Sequence, residues 1–226
     1  MRVKFKRWAV DYLDISKANQ FNLLDEDKNK LSSFINAKKA FIEIGPGKGE
    51  FILSLAAKFP EYNFIVIELN KTISGICLKK IDESKLENVK LVAGDFYLFA
   101  NQIEKNSIEG VFLNFSDPWP KRKHANRRLT SERFLLNYSY ILKIGGKIYQ
   151  KTDNLDLFNY SLEQYKENNW KINDINLEYN DLDNFDAETE YETKFKSKGN
   201  KIYRVIVENT RETKVREKEN EIRNLL

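Results

Sequence analysis

Residues 40–49, Ala-Phe-Ile-Glu-Ile-Gly-Pro-Gly-Lys-Gly, pass from an apolar run directly into a glycine turn, and a helix-patterned segment, 48–58, follows at once. This is the tightest constraint on the fold. A strand that ends in such a turn and opens a helix commits the chain to a β-α unit. It also brings backbone close to a ligand, because glycine tolerates positive φ and carries no Cβ. The spacing is G-x-G-x-G, with Glu43 on the strand just before it. The dinucleotide fingerprint is G-x-G-x-x-G, which aims a helix N-terminus at pyrophosphate. A carboxylate beside the turn repels pyrophosphate and suits a cationic or hydroxyl-rich ligand. S-adenosylmethionine, with a sulfonium, an ammonium and a ribose, is a ligand of that kind.

The rest of the chain repeats the alternation. Strands are predicted at 40–44, 63–68, 89–93, 108–115 and 147–152, with further candidates at 170–179 and 201–208. Helices are predicted at 48–58, 71–81, 96–103, 131–142 and 155–168, the fourth stopped by Gly145-Gly146. Such alternation implies parallel β-α-β units. The unbroken run Phe64-Ile65-Val66-Ile67 suits a strand covered on both faces.

The length, 226 residues, suffices for one substantial core. One domain over 1–226 is expected, with a basic N-terminal extension about 1–38 and a charged tail about 209–226. That tail reads either as a surface helix or as a solvated end. No apolar run approaches the roughly 20 residues that a membrane span needs, and no membrane association is expected. The one cysteine, Cys77, excludes an internal disulfide and a cysteine-rich zinc site. No metal is expected, and the expected compartment is cytoplasmic. A Ser-His-Asp triad would have to use the single histidine, His124. That residue lies in a polar basic segment and suits a solvated or phosphate-contacting role.

Ligands of open parallel sheets collect at the carboxyl ends of the strands. Polar residues stand at each predicted end: Glu43, Glu68, Gly94-Asp95, Asn114 with Ser116 and Asp117, and Thr152-Asp153-Asn154. The two oxygens of Glu68 match a ribose diol. Asp95 suits an adenine amine, and Glu43 an ammonium or the ordering of the turn formed by Gly45, Gly47 and Gly49. The same acids also fit helix N-caps, an alternative strongest for Asp153 and weak for Glu68.

The segment 113–120, Leu-Asn-Phe-Ser-Asp-Pro-Trp-Pro, is stiffened by prolines on both sides of Trp119. The indole either stacks on a base or on a neighbouring side chain, or packs over the sheet edge. Five Lys/Arg residues follow within 121–128. A run of this kind is either a solvated face or a phosphate-binding footprint, and its attachment to a strand-end loop favours nucleic acid.

Taken together, the motifs resemble the bacterial tRNA (guanine-N7)-methyltransferases, the TrmB family of class I S-adenosylmethionine-dependent enzymes. The matching pieces are the glycine turn after Glu43, Ile67-Glu68, Gly94-Asp95, the Asn-Phe-Ser-Asp-Pro-Trp-Pro string from Asn114, Lys151-Thr152-Asp153-Asn154, and residues 189–195. The resemblance spans residues 5–208. It implies an α/β, Rossmann-like fold with a mostly parallel seven-stranded sheet and helices on both faces. It implies methyl transfer from S-adenosylmethionine to N7 of the guanine at position 46 of tRNA, with no obligate protein partner. Carried over, Glu43, Glu68, Asp95 and Asp117 line the cofactor pocket. Lys121, Asp153, Thr189, Glu190, Tyr191 and Glu192 meet the substrate, and Lys123, His124, Arg127 and Arg128 meet RNA. Asp117 is the expected catalytic residue, acting by orientation and charge because guanine N7 already presents a lone pair. Two other readings stay open from the residues alone: a methyltransferase acting on protein or small-molecule nitrogen, and a non-catalytic RNA-binding protein on the same fold.

Overall fold

The structure is a computed structural model that describes residues 4–21, 28–180, 185–189, 191–192 and 199–215. Its frame is an eight-stranded sheet. The strands are β1 (Gln20–Phe21), β2 (Lys39–Ile44), β3 (Tyr62–Glu68), β4 (Val89–Ala93), β5 (Ile108–Asn114), β6 (Leu142–Thr152), β7 (Lys171–Asn176) and β8 (Tyr203–Glu208), in the order β1-β4-β3-β2-β5-β6-β8-β7. β1 to β6 pair in parallel, whereas β8 runs antiparallel between β6 and β7. The expected count of seven is corrected by β1. This two-residue strand pairs Gln20 with Leu91 and Phe21 with Val92, and it is too short to leave a periodic signal.

The helices are α1 (Arg7–Ile15), α2 (Lys28–Ala37), α3 (Glu50–Lys58), α4 (Lys71–Ser84), α5 (Phe96–Phe99), α6 (Glu132–Ile141) and α7 (Leu155–Glu167). Side chains alternate across each strand, so β2 feeds two cores. Phe41 joins Phe64, Val66, Phe112 and the inner faces of α3 and α4. Ile42 and Ile44 join Ile65, Ile67, Val111, Leu113 and the faces of α2, α5, α6 and α7. Among the described residues no helix is long and apolar enough to cross a membrane.

Both flanks of the strand–helix alternation pack against it. Within the stretch expected as a basic extension about 1–38, the described residues form α1, β1 and α2. α1 lies so close against α4 that a Cβ on Gly75 would fall 1.7 Å from the Ala9 carbonyl oxygen. Likewise, residues 209–213 belong to the fold. Asn209 is buried and its amide donates to the carbonyls of Ser139, Leu142 and Lys143. The expected tail beyond 215, and Arg2 at the other end, lie outside the described residues.

Gly145-Gly146 does not stop a helix. α6 ends at Ile141, Leu142 is already extended, and the glycines lie inside β6. They absorb an irregularity in the ladder between the pairs Ile108–Leu142 and Gly110–Lys147. Gly145 takes φ +86° there, a conformation that costs glycine little.

Candidate active site

The sheet reverses its winding at β2, with β3 on one side and β5 on the other. Ligand sites form at such a switch point. Backbone bonds knit the strand ends together. Gly45 N–H donates to Ile67 O at 2.9 Å, Gly94 N–H to Glu68 O at 2.9 Å, and Phe115 N–H to Lys151 O at 2.8 Å.

The glycine turn follows β2. Gly45 and Gly47 take φ of +73° and +58°, and a Cβ on either would meet nothing within 4 Å. That space is open to a ligand. Gly49 differs, because a Cβ there would lie 2.9 Å from Cys77 Sγ, so glycine seats α3 against α4.

Glu43 lies at the end of β2 with 1% of its surface exposed. Its Oε1 accepts from Asn114 Nδ2 at 2.9 Å. Its Oε2 is buried and has no hydrogen-bond partner among the described residues. Burial pushes this carboxyl up to about 7; the Asn114 bond and the Lys151 charge oppose the push, while Glu68 and Asp186 add to it. Glu68 is also raised, chiefly by burial, against the backbone N–H groups it accepts from, and the Asp117 charge adds to the rise.

The helix-cap alternatives separate cleanly. Asp95 caps α5, its Oδ1 accepting from Tyr97 N–H at 2.8 Å. Glu68 does not cap α4, because Asn70 does so through Ile73 N–H. Asp153 does not cap α7, because Asn154 accepts from Leu157 N–H at 2.8 Å.

Asp117 is exposed on the loop after β5. That loop carries two non-glycine residues with left-handed backbone, Phe115 at φ +49° and Trp119 at φ +41°. Such a conformation costs an ordinary residue roughly 1–2 kcal/mol, so neighbours must enforce it. Arg128 does so. Its Nε donates to Pro118 O at 3.0 Å and its Nη2 to Trp119 O at 3.2 Å, while its guanidinium lies 4.2 Å from the Tyr160 ring centroid. The guanidinium of Arg127 lies 4.9 Å from the Trp119 ring, and His124 meets the same indole edge-on at 5.8 Å. Trp119 thus packs within its own loop. Arg128, expected at RNA, is committed to holding that loop, whereas Lys121 and Lys123 are exposed.

The segment near 189 divides. Tyr191 is 51% exposed, and its ring is stacked with that of Phe115 at 6.2 Å. Glu192, expected to meet substrate, points inward instead: it is fully buried, and its Oε2 accepts from Lys151 Nζ at 2.8 Å. Thr189 Oγ1 accepts from Glu192 N–H at 2.9 Å. Glu190 lies outside the described residues.

Sequence reasoning gave no role to Asn114, Lys151 or Asp186. For Lys151 the available signal was a lysine among the strand-end residues Lys151-Thr152-Asp153-Asn154. Asp186 left none, since only folding brings it to Lys151. Among the described residues no group of three or more His, Cys, Asp or Glu side chains is placed to hold a metal ion.

The chain is similar to known proteins. A family model described as "Putative methyltransferase" matches residues 37–205. A tRNA (guanine-N(7)-)-methyltransferase of Staphylococcus haemolyticus is 42% identical over 210 residues, spanning 91% of this chain and 96% of the relative. One from Staphylococcus carnosus is 44% identical over 208 residues, spanning 91% and 98%. One from Limosilactobacillus reuteri is 40% identical over 210 residues, spanning 91% and 98%. Among solved structures, the aminoglycoside resistance methyltransferase NpmB1 overlays with a TM-score of 0.60 at 17% identity, covering 81% of this chain and 93% of that one. A mutant of the 16S rRNA (adenine(1408)-N(1))-methyltransferase from Catenulisporales acidiphilia, solved with its cosubstrate SAM, gives 0.61 at 11% identity, covering 83% and 93%. These two likenesses speak for the fold.

Proposed function

Since this chain belongs to the tRNA (guanine-N(7)-)-methyltransferase family, we propose that it methylates the guanine at position 46 of tRNA, using the strand-end residues described above. The family reaction takes the methyl group of S-adenosylmethionine to N7 of a guanine in tRNA. The observation that carries the residue assignment is Glu43, a buried carboxyl at the glycine turn with one oxygen unpartnered among the described residues.

The residues present fit the donor. Glu43 Oε2 offers a buried acceptor for a cationic group, and the space over Gly45 and Gly47 is open. Glu68 and Asp95 add oxygens at the next two strand ends for ribose and adenine. Bound there, S-adenosylmethionine supplies an electrophilic methyl carried on a sulfonium.

The chain's own part is placement and charge. Guanine N7 needs no base to expose its lone pair, and the methylated ring is cationic. Asp117 stands exposed beside that centre, held by the Arg128-braced loop. Its carboxylate orients the ring through N–H donors and stabilises the positive charge as it develops. Asp153, not engaged as a helix cap, takes the opposite edge of the base with Thr189 and Tyr191. Alignment of this kind supplies roughly 7–11 kcal/mol of the barrier reduction. Lys121, Lys123 and the exposed side of the 121–127 turn meet phosphates, which position a polymer without reading its sequence. Residues 1–226 act as one methyltransferase domain, working in the cytoplasm with its tRNA.

The test uses labelled S-adenosylmethionine and unmodified tRNA. An alkali-labile site at guanine 46, lost when that base is changed, is the expected result. Label appearing elsewhere, or in no tRNA at all, refutes the assignment of the target.

A further inference from the structure

Lys151 is the penultimate residue of β6 and is 3% exposed, yet the reaction described above gives it no contact with substrate or donor. Its Nζ donates to Asp186 Oδ1 at 2.9 Å and Oδ2 at 3.2 Å, to Glu192 Oε2 at 2.8 Å, and to Ala187 O at 3.1 Å. Tyr179 OH donates to Asp186 Oδ2 at 2.6 Å. The ammonium also lies 5.2 Å from the Phe51 ring centroid, on the first turn of α3. The backbone carbonyl of Lys151 accepts from Phe115 N–H, where the Asp117 loop begins.

One side chain therefore touches both ends of the 186–192 segment and the helix opened by the glycine turn. A buried ionic cluster is a poor source of net stability, because desolvating its charges offsets their attraction. Its strength is registry: a lysine ringed by four acceptor atoms at fixed distances admits one placement of the segment that carries them. Between its anchors that segment carries Thr189 and Tyr191, and Tyr191 stacks on Phe115.

We propose that Lys151 is a positioning residue that clamps the 186–192 segment onto the cofactor end of the sheet and so sets where the substrate base is received. The proposal rests on the tRNA reading for what the segment receives, but the clamp itself is testable without it. The cluster holds one cation and two carboxylates. Asp186→Asn leaves a balanced Lys151–Glu192 pair and keeps the side-chain shape, while Lys151→Met removes the hub.

Both variants are made in the full chain and measured three ways: tryptic cleavage after Lys194, Lys196 or Lys198, calorimetric affinity for S-adenosylhomocysteine, and single-turnover methylation of unmodified tRNA. The clamp requires cleavage to accelerate several-fold and methylation to fall about tenfold or more, since displacement of a positioning group by about 1 Å is enough for such a loss. In Asp186→Asn, affinity for the demethylated donor holds within about twofold, which separates a clamp from a general prop of the fold; Lys151→Met also takes a positive charge from beside Glu43, so its methylation is read at saturating donor. Unchanged cleavage and methylation in Asp186→Asn overturn the proposal, and so does a loss of that variant's donor affinity in step with methylation. Should Lys151→Met not fold, Asp186→Asn decides alone. Should the wild type not methylate tRNA, the function reading falls, and the cleavage measurement still judges the clamp.

Discussion

Asn114 Nδ2 donates to Glu43 Oε1 across 2.9 Å, tying the ends of two adjacent parallel strands. The other oxygen of Glu43 stays buried and unpartnered among the described residues. This bond orients a carboxyl whose protonation state is balanced near neutrality, and it gives the site a measurable pH signature.

Glu43 is raised by burial from 4.5 to about 7. A folded-state value above the unfolded one means that the stabilising contribution is complete below about pH 4.5. It drains away as pH climbs to about 7, where the folded carboxyl ionises. Glu43→Gln removes this dependence. At pH 8 the variant is expected to be more stable than the wild type by up to about 3 kcal/mol, and at pH 5 nearly equal to it. Denaturant midpoints at the two pH values measure the difference, and a variant less stable at pH 8 contradicts the burial argument. Its donor affinity is expected to drop, because a neutral amide does not attract an ammonium.

Donor binding by the wild type should tighten as pH rises through about 7 and should release a proton below that point. Asn114→Ala lifts an opposing influence on Glu43 and removes a hydrogen bond to a charged group, worth about 1.5–3 kcal/mol. Affinity for S-adenosylmethionine at pH 7 is expected to fall about tenfold or more, with partial recovery at pH 9. Calorimetry across pH resolves this; a pH-independent loss would mean that Asn114 shapes the pocket rather than the charge.

Asp117→Ala is expected to lower the single-turnover rate by about 10²–10³, the loss typical when a preorganised stabilising group is removed. Its tRNA affinity should change less than about threefold, because phosphate contacts dominate binding. Near-normal turnover would remove Asp117 from the chemistry.

Lys123 and Arg128 should behave differently although both belong to the basic run. Lys123→Ala is expected to weaken tRNA binding and to reduce the slope of log affinity against log salt by about 1. Arg128→Met should leave that slope nearly intact and depress turnover instead, because it releases the Pro118 and Trp119 carbonyls. Equal slopes lost by both would return Arg128 to the RNA surface.

Gly75→Ala tests the seat of the N-terminal helix. Alanine favours a helix over glycine by about 1 kcal/mol, yet here its Cβ would strike the Ala9 carbonyl oxygen at 1.7 Å. A net destabilisation of about 1–3 kcal/mol is expected from overpacking against backbone that cannot step aside. Thermal unfolding reads it directly.

The β-α alternation, the glycine turn and the acids at successive strand ends were legible in the amino-acid order. Each of these is local. Apolar periodicity, left-handed glycine and a polar residue closing an apolar run are set by neighbours a few positions apart. The same order carried the family likeness through the Asn114–Pro120 string. Packing was needed to show which acids are caps, that α1 seats on α4 and β1 pairs at the sheet edge, and that Arg128 serves its own loop. Glu43 meets Asn114 across 71 positions, and Lys151 meets Glu192 across 41. The charge state of Glu43 and the pairing of Lys151 depend on how much water is excluded and on which partners arrive. Those quantities exist only once distant segments have come together.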